Sequence, residues 1–299
     1  MVLKCRRVPV AATTHGSGCC ADCCHAIGMT IAAVGLPAFF RLRFMSNFYQ
    51  RYLAGDHEAT WSELVACGPE IFIPPLATHA QDVANEIVDR AFHNLTLIYA
   101  RLIEFGYEFA NDPYVLREAT ATDQSALHSV EITLGRFPAV LHNWYERVAS
   151  VDFTQSRRQL FAEGDDPSTV SAVSGLGLNI TLVFRRISEC LRHRDDLARE
   201  GDLECREPQF GGHFFPTGGV ATNCEYKGTY LPSHGFDDPL YNEGAGWVRF
   251  VEELRKAFRW GGFPCWGMLF NRRRLPTVVP HAPQFLKLLP MLKEGLKPL

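Results

Sequence analysis

The amino-acid sequence predicts an α+β fold, in which an N-terminal helical hairpin precedes a C-terminal unit of strand, helix and turn. Three observations lead to this prediction. Apolar residues recur at helical spacing through residues 46–150, and Tyr226–Leu231 forms a short strand-like run that ends at Pro232. Residues 247–258 carry one apolar stripe at helical spacing. With 299 residues, 46% hydrophobic and 21% charged, the chain has the composition of a globular protein of one or two domains.

Residues 1–44 differ from the rest of the chain. Their apolar run, 26–40, contains Pro37 and is shorter than the roughly 20 residues that a membrane-spanning helix needs. Basic residues before an apolar stretch also suit a secretory signal, although no small-x-small cleavage site precedes Met45. We expect residues 1–44 to be an atypical extension, either disordered or upstream of a natural start at Met45.

Ten cysteines are unevenly distributed, five of them before residue 25. Cys20 and Cys23 have the Cys-x-x-Cys spacing that can hold zinc, but a structural site needs a second ligand pair, and none is evident. We therefore expect no metal and no cofactor, with Cys20 and Cys23 as the remaining candidates. The later cysteines are isolated, which indicates a reducing compartment and a cytoplasmic location.

Residues 45–153 form the predicted helical part. A first helix ends near Cys67-Gly68-Pro69, the prolines Pro74-Pro75 form a stiff connector, and a long helix runs from Thr78 to Gly106, antiparallel to the first. Two further helices are predicted at 125–134 and from Phe137-Pro138, the second with Trp144, Tyr145 and Val148 on one side. A strand is expected to start at Val151.

Residues 154–221 are the least regular stretch, and we interpret them as a divergent insertion. Gly175-Leu176-Gly177 lacks the third glycine of a dinucleotide fingerprint, and Ala172 stands where a nucleophile elbow requires glycine. Ile180–Leu197 is compatible with a basic amphipathic helix.

Residues 222–299 form the C-terminal unit. Its predicted helix carries an apolar stripe of Trp247, Phe250, Val251, Leu254 and Phe258. In the sequence Trp260-Gly261-Gly262-Phe263-Pro264, Gly261 suits the left-handed position after a helix, and Pro264 prevents the helix from resuming. We expect Trp260 and Phe263 to be substantially buried.

The net charge of −3 hides a segregation of charge. Residues 1–44 carry +4 and residues 271–299 carry +5, which leaves about −12 on the body between them. An acidic body repels nucleic acid and attracts basic partners, so we expect a protein partner, no nucleic acid and no membrane. The alternative interpretation is a solvated acidic surface that maintains solubility.

Two segments carry a resemblance to known proteins. The first is Leu134-Gly135-Arg136-Phe137-Pro138 with the following helix to Tyr145; the second is 231–266, with Asp237-Asp238-Pro239-Leu240 and Trp260-Gly261-Gly262-Phe263-Pro264. Together they resemble a group of uncharacterised bacterial proteins that is distantly similar to the SUKH superfamily of toxin-immunity proteins and fungal cell-wall regulators. The chain departs from that group at Cys265, where the group has glycine, and through 154–221, which puts an intact sheet in doubt.

The resemblance implies a small mixed sheet flanked by helices and no enzymatic activity. It favours a non-enzymatic intracellular binding protein, immunity-like, that recognises a basic protein partner such as a toxin. The candidate partner-binding residues are Asp237, Asp238 and Glu243, and the residues assigned to the structural motif are Trp144, Tyr145, Trp247, Phe258, Trp260, Gly261, Gly262, Phe263 and Pro264.

Two alternatives remain open at the level of sequence. One is a hydrolase that uses His213 or His234 with Asp237 or Asp238. The other is a divergent homologue that has retained no activity.

Overall fold

The computed structural model describes residues 47–110, 114–154, 183–184, 186–187, 190, 213–219, 224–242, 246–264 and 282–299. The chain divides between Phe44 and Met45, the position at which the composition changes, and the unit Met45–Leu299 contains every described residue. The predictions for 1–44, Cys20, Cys23, Glu243 and Cys265 lie outside the described residues.

The described elements confirm the α+β class. The helices are α1 (Phe48–Leu53), α2 (His57–Ala66), α3 (Leu76–Glu104), α4 (Ala121–Leu134), α5 (Ala139–Arg147), α6 (Phe250–Arg259) and α7 (Ala282–Lys293), with a 3-10 turn at Gly68–Phe72 between α2 and α3. The strands are β1 (Leu116–Glu118), β2 (Val148–Asp152), β3 (Val183–Phe184), β4 (His213–Gly219), β5 (Cys224–Tyr230), β6 (Pro239–Asn242) and β7 (Gly246–Arg249).

Helix α3 is the long central element of the helical part. Its apolar residues recur at three- and four-residue intervals, so one side of the helix is buried along its whole length. Helix α1, the 3-10 turn and α5 all contact it. The buried side chains of α3 are Ala80, Val83, Ala84, Ile87, Val88, Ala91, Asn94, Leu95, Ile98 and Leu102.

Helix α5 connects this helical core to the sheet and to α6. Trp144 and Tyr145 are both fully buried. The Trp144 ring meets Phe250 of α6 edge to face, with centroids 5.2 Å apart, which is a favourable aromatic geometry. The chain then enters β2 at Val148. The apolar spacing predicts that Val148 belongs to the helix, but in the structure it is the first residue of the strand.

The seven strands form one sheet in which each strand pairs with its sequence neighbours. Every described pairing is antiparallel, so the expectation of a mixed sheet is wrong for these strands. The pairing of strands consecutive in the chain explains this, because antiparallel neighbours need no crossover helix between them.

Part of the segment interpreted as an insertion belongs to this sheet. Val183–Phe184 pairs with Val151 and Asp152 on one side and with Thr217 on the other. The predicted helix over Ile180–Leu197 is therefore wrong at Val183 and Phe184, where pairing with both neighbouring strands overrides a helical pattern of apolar residues. The departures in the sequence put an intact sheet in doubt. In the structure, the sheet is continuous from β1 to β7.

Helix α6 begins three residues later than the apolar stripe from Trp247 predicts. Trp247 lies in β7, paired with Tyr241, and α6 starts at Phe250. Arg249 has extended backbone angles (φ −86°, ψ 152°), so the change from strand to helix falls after it. A stripe at i, i+3 and i+4 cannot distinguish this boundary, because Trp247 suits either element.

The turn after α6 has the predicted form. Gly261 (φ 59°) and Gly262 (φ 91°) both adopt positive φ. The N–H of Gly262 donates to the carbonyl of Ala257 (2.9 Å) and that of Gly261 to Phe258 (3.2 Å), which are the two bonds of a Schellman motif. Phe263 is 5% exposed, whereas Trp260 is only half-buried against the core.

Among the described helices, none has both the length and the apolar character required to cross a membrane.

Gly262→Ala tests how tightly this turn is packed. A Cβ at Gly262 would lie 3.1 Å from the Phe153 ring and 3.2 Å from Ile98 Cγ2, whereas one at Gly55 (φ 102°) would meet nothing within 4 Å. We expect Gly55→Ala to cost about 1–2 kcal/mol for the left-handed backbone, and Gly262→Ala to cost a further ~1–3 kcal/mol for overpacking. Urea unfolding of both variants measures the difference, and equal costs would contradict the close packing.

Candidate functional site

Asp237 lies at the junction of the helical part and the C-terminal unit. Its Oδ1 accepts from the backbone N–H of Phe250 (3.0 Å), and its Oδ2 accepts from that of Val251 (3.1 Å) and from Trp61 Nε1 (3.0 Å). Arg249 donates to the backbone carbonyl of Asp237. The carboxylate therefore satisfies the first two N–H groups of α6 and at the same time binds the indole of α2.

Burial raises the pKa of Asp237 to about 6, while the N–H donors of Val251 and Trp61 and the charge of Arg249 act in the opposite direction. The group is thus still ionised at neutral pH. Its negative charge then faces the positive end of the α6 dipole, an arrangement that stabilises a helix N-terminus.

These contacts overturn the proposed partner-binding role of Asp237. The residue is 1% exposed, and both carboxylate oxygens point inward to bonds within the fold. Asp238 is half-buried, and its Oδ2 accepts from Ser233 Oγ (2.6 Å) and from the backbone N–H of His234 (3.0 Å). The acidic pair, which looks like a surface feature in the sequence, holds together the loop that precedes β6.

The same geometry bears on the hydrolase alternative. His234 is exposed, and Asp238 binds its backbone N–H, while Asp237 points away into the core. Neither carboxylate is therefore in place to orient the His234 ring as a general base. The side chain of His213 lies outside the described residues.

A separate group of carboxylates lies around the outer side of α5. Arg147 Nε is 3.8 Å from Asp89 Oδ1 of α3, and Arg147 Nη1 is 3.7 Å from Glu118 Oε2 of β1. The Asp89 and Glu118 side chains are 64% and 63% exposed. Exposed ion pairs at this separation contribute little stability, so these carboxylates are not committed to holding the fold.

His142, on the same helix, pairs with two further carboxylates. Its Nδ1 is 3.0 Å from Glu131 Oε1 of α4, and its Nε2 is 3.3 Å from Glu146 Oε1. We define the acidic face as Asp89, Glu118, Glu131 and Glu146. Four carboxylates from three helices and a strand thus surround two basic side chains.

The sequence alone does not reveal the acidic face. The excess of acidic residues over the body was apparent, but the charges are spread over residues 89–146, and only the fold brings them together. The one local signal is the i,i+4 spacing of His142 and Glu146 on a single helix.

Groups of three or more potential metal ligands are not found among the described residues. No family model, curated protein sequence or solved structure matches this chain.

Replacing Asp237 with alanine is expected to destabilise the protein by about 2–4 kcal/mol, because it leaves two helix N–H groups and a buried indole N–H without an acceptor. Trp61→Phe removes a single donor and should cost less, about 1–2 kcal/mol. The double variant should cost less than the two single changes together, since both remove the same bond. Strict additivity in chemical denaturation would contradict the bond between Trp61 and Asp237.

The His142–Glu131 contact predicts a specific pH dependence of stability. Burial lowers the pKa of His142, but the hydrogen bond and charge of Glu131 outweigh it, so the net shift is upward. Burial raises the pKa of Glu131, but His142 and the Phe137 N–H reverse this to a net downward shift. The contribution of His142 is therefore lost as pH rises through its raised pKa, and that of Glu131 is lost as pH falls through its lowered pKa.

His142→Gln should accordingly cost most between about pH 5 and pH 6.5, on the order of 1 kcal/mol, and the cost should shrink towards pH 8. The exposed His128 on α4 supplies the matched control, His128→Gln. Free energies of unfolding measured across this range test the prediction. A cost that does not change with pH would show that His142 acts by packing alone.

Proposed function

We propose that this protein is a non-enzymatic binding protein that recognises a basic protein partner through its acidic face. The single observation that carries the proposal is that Asp89 and Glu118 pair with Arg147, and Glu131 and Glu146 pair with His142, so that four carboxylates share two basic side chains of α5. Three of these four carboxylates have about half or more of their side chain exposed, so a partner's lysines and arginines can reach them.

The charge of the surrounding region acts in the same direction. Residues 47–154 contain fifteen acidic and six basic residues. A field of one sign over a binding surface accelerates encounter with a partner of opposite sign and disfavours partners of like sign. It therefore favours a basic protein over nucleic acid.

The resemblance to the bacterial group and to the SUKH superfamily supports a more specific form of the proposal. In immunity proteins of that superfamily, the function is tight binding to a toxin. A basic nuclease toxin is the partner whose charge complements this face, and the cytoplasm is the compartment in which such protection is needed. Asp238 and Glu243 remain proposed contributors to the partner surface.

Co-expression with the proteins encoded beside this gene tests the proposal. We expect one of them to be toxic alone, to be neutralised by this protein, and to form a complex that survives purification. The proposal is wrong if no neighbouring product is neutralised or bound.

Charge reversal at the acidic face then tests its location. The double variant Asp89→Lys/Glu118→Lys should slow association with the partner by at least about tenfold and weaken its dependence on salt. Glu70→Lys/Glu104→Lys makes the same change in net charge at exposed positions outside the face. Stopped-flow association rates distinguish the two variants, and equal slowing would assign the effect to net charge rather than to this surface.

A further inference from the structure

A small cavity lies where the 3-10 turn, the first turns of α3 and the start of α5 meet. Its volume is about 140 Å³. Five of the seven lining residues are apolar, and the polar side chains among them are the exposed guanidinium of Arg136 and the exposed amide of Gln81. The lining residues are Ile71, Phe72, Ala77, Ala80, Gln81, Arg136 and Ala139.

Three of the seven lining residues are alanines, whose side chains are small. Ala77 and Ala80 lie on α3, and Ala139 is the first residue of α5. Further along α3, the buried face carries Val83 and Ile87 as well as the small Ala84 and Ala91. The cavity is far smaller than the ~300–1,000 Å³ of sites for drug-sized ligands, so it suits a molecule of only a few carbon atoms.

The guanidinium of Arg136 supplies the positive charge. Its Cζ lies 4.2 Å from the centroid of the Phe72 ring, so the planar group is stacked against one wall. A stacked guanidinium keeps its N–H edges available for the two parallel bonds that a carboxylate accepts. Within the described residues, no carboxylate lies within 4.0 Å of the Arg136 guanidinium nitrogens.

Gln81 is held in place at the wall by its neighbours. Its Nε2 donates to Asn143 Oδ1 (2.8 Å), and Asn143, which is 2% exposed, donates to Asn85 Oδ1 (2.9 Å). A polar side chain fixed in this way contributes a defined dipole instead of a mobile one, which lowers the entropy cost of contacting a ligand.

We propose that this cavity binds a short aliphatic monocarboxylate of about three to six carbons, with the carboxylate on Arg136 and the alkyl chain against Ile71, Phe72 and the alanines. This site lies outside the acidic face and goes beyond the proposed protein-binding function. The two proposed sites select ligands of opposite charge, because the cavity would bind an anion and the acidic face would bind cationic side chains.

Titration of the full-length protein with butyrate, followed by two-dimensional NMR, tests the proposal. We expect saturable shifts of residues around the cavity with a dissociation constant in the millimolar range, as is usual for so small a ligand. Butylamine and 1-butanol match the alkyl chain without the negative charge, and we expect both to bind at least about tenfold more weakly. Equal binding of butanol and butyrate would overturn the role of Arg136.

Two variants locate the site. Arg136→Gln should weaken butyrate binding at least about tenfold, whereas Arg117→Gln, which removes another arginine stacked on an aromatic ring (Tyr114), should leave it unchanged. Ala77→Leu narrows the cavity from its half-buried rim and should also abolish binding. The proposal is overturned if butyrate does not saturate, if both arginine variants weaken binding equally, or if Ala77→Leu binds as well as the original protein.

Discussion

The carboxylate of Asp237 fixes the position of α6, and several contacts elsewhere depend on that position. By accepting from the N–H groups of Phe250 and Val251, it sets the residue at which the strand ends and the helix begins. That starting point places the Phe250 ring against Trp144 at the near end of α6. At the far end, Gly262 lies against Phe153 and Ile98. The bond from Trp61 attaches the whole arrangement to α2.

Helix α5 separates the interior of the protein from its acidic face. The 3.6-residue period places Trp144 and Tyr145 in the core, while His142, Glu146 and Arg147 emerge on the outer side. The inner side chains pack α5 against α3, α6 and β2. Glu146 is therefore displayed from a packed helix, which lowers the entropy that contact with the proposed partner would cost.

The sequence predicts the elements with strong local signals and misses those that depend on distant partners. The α3 periodicity, the Tyr226–Leu231 strand and the turn at Gly261-Gly262 were predictable, because apolar spacing and glycine conformation act within a few residues. Strand β3 is not predictable in this way. It has only two residues, and they form a strand because β2 and β4 pair with them on both sides. The burial of Asp237 depends on Trp61, 176 residues earlier in the chain, and no local pattern records that contact.

The acidic face and the proposed anion site would be coupled through Glu131. The charge of Arg136 is one of the factors that lower the pKa of Glu131, and Glu131 also pairs with His142. A carboxylate bound to Arg136 would neutralise that positive charge and leave Glu131 a less stable anion. By reciprocity, a basic partner that neutralises Glu131 would weaken the repulsion between that carboxylate and an anion on Arg136, and so strengthen anion binding at the cavity. We expect this coupling to be small, because water screens charges near the surface, and its expected sign is that a bound anion and a bound basic partner favour each other.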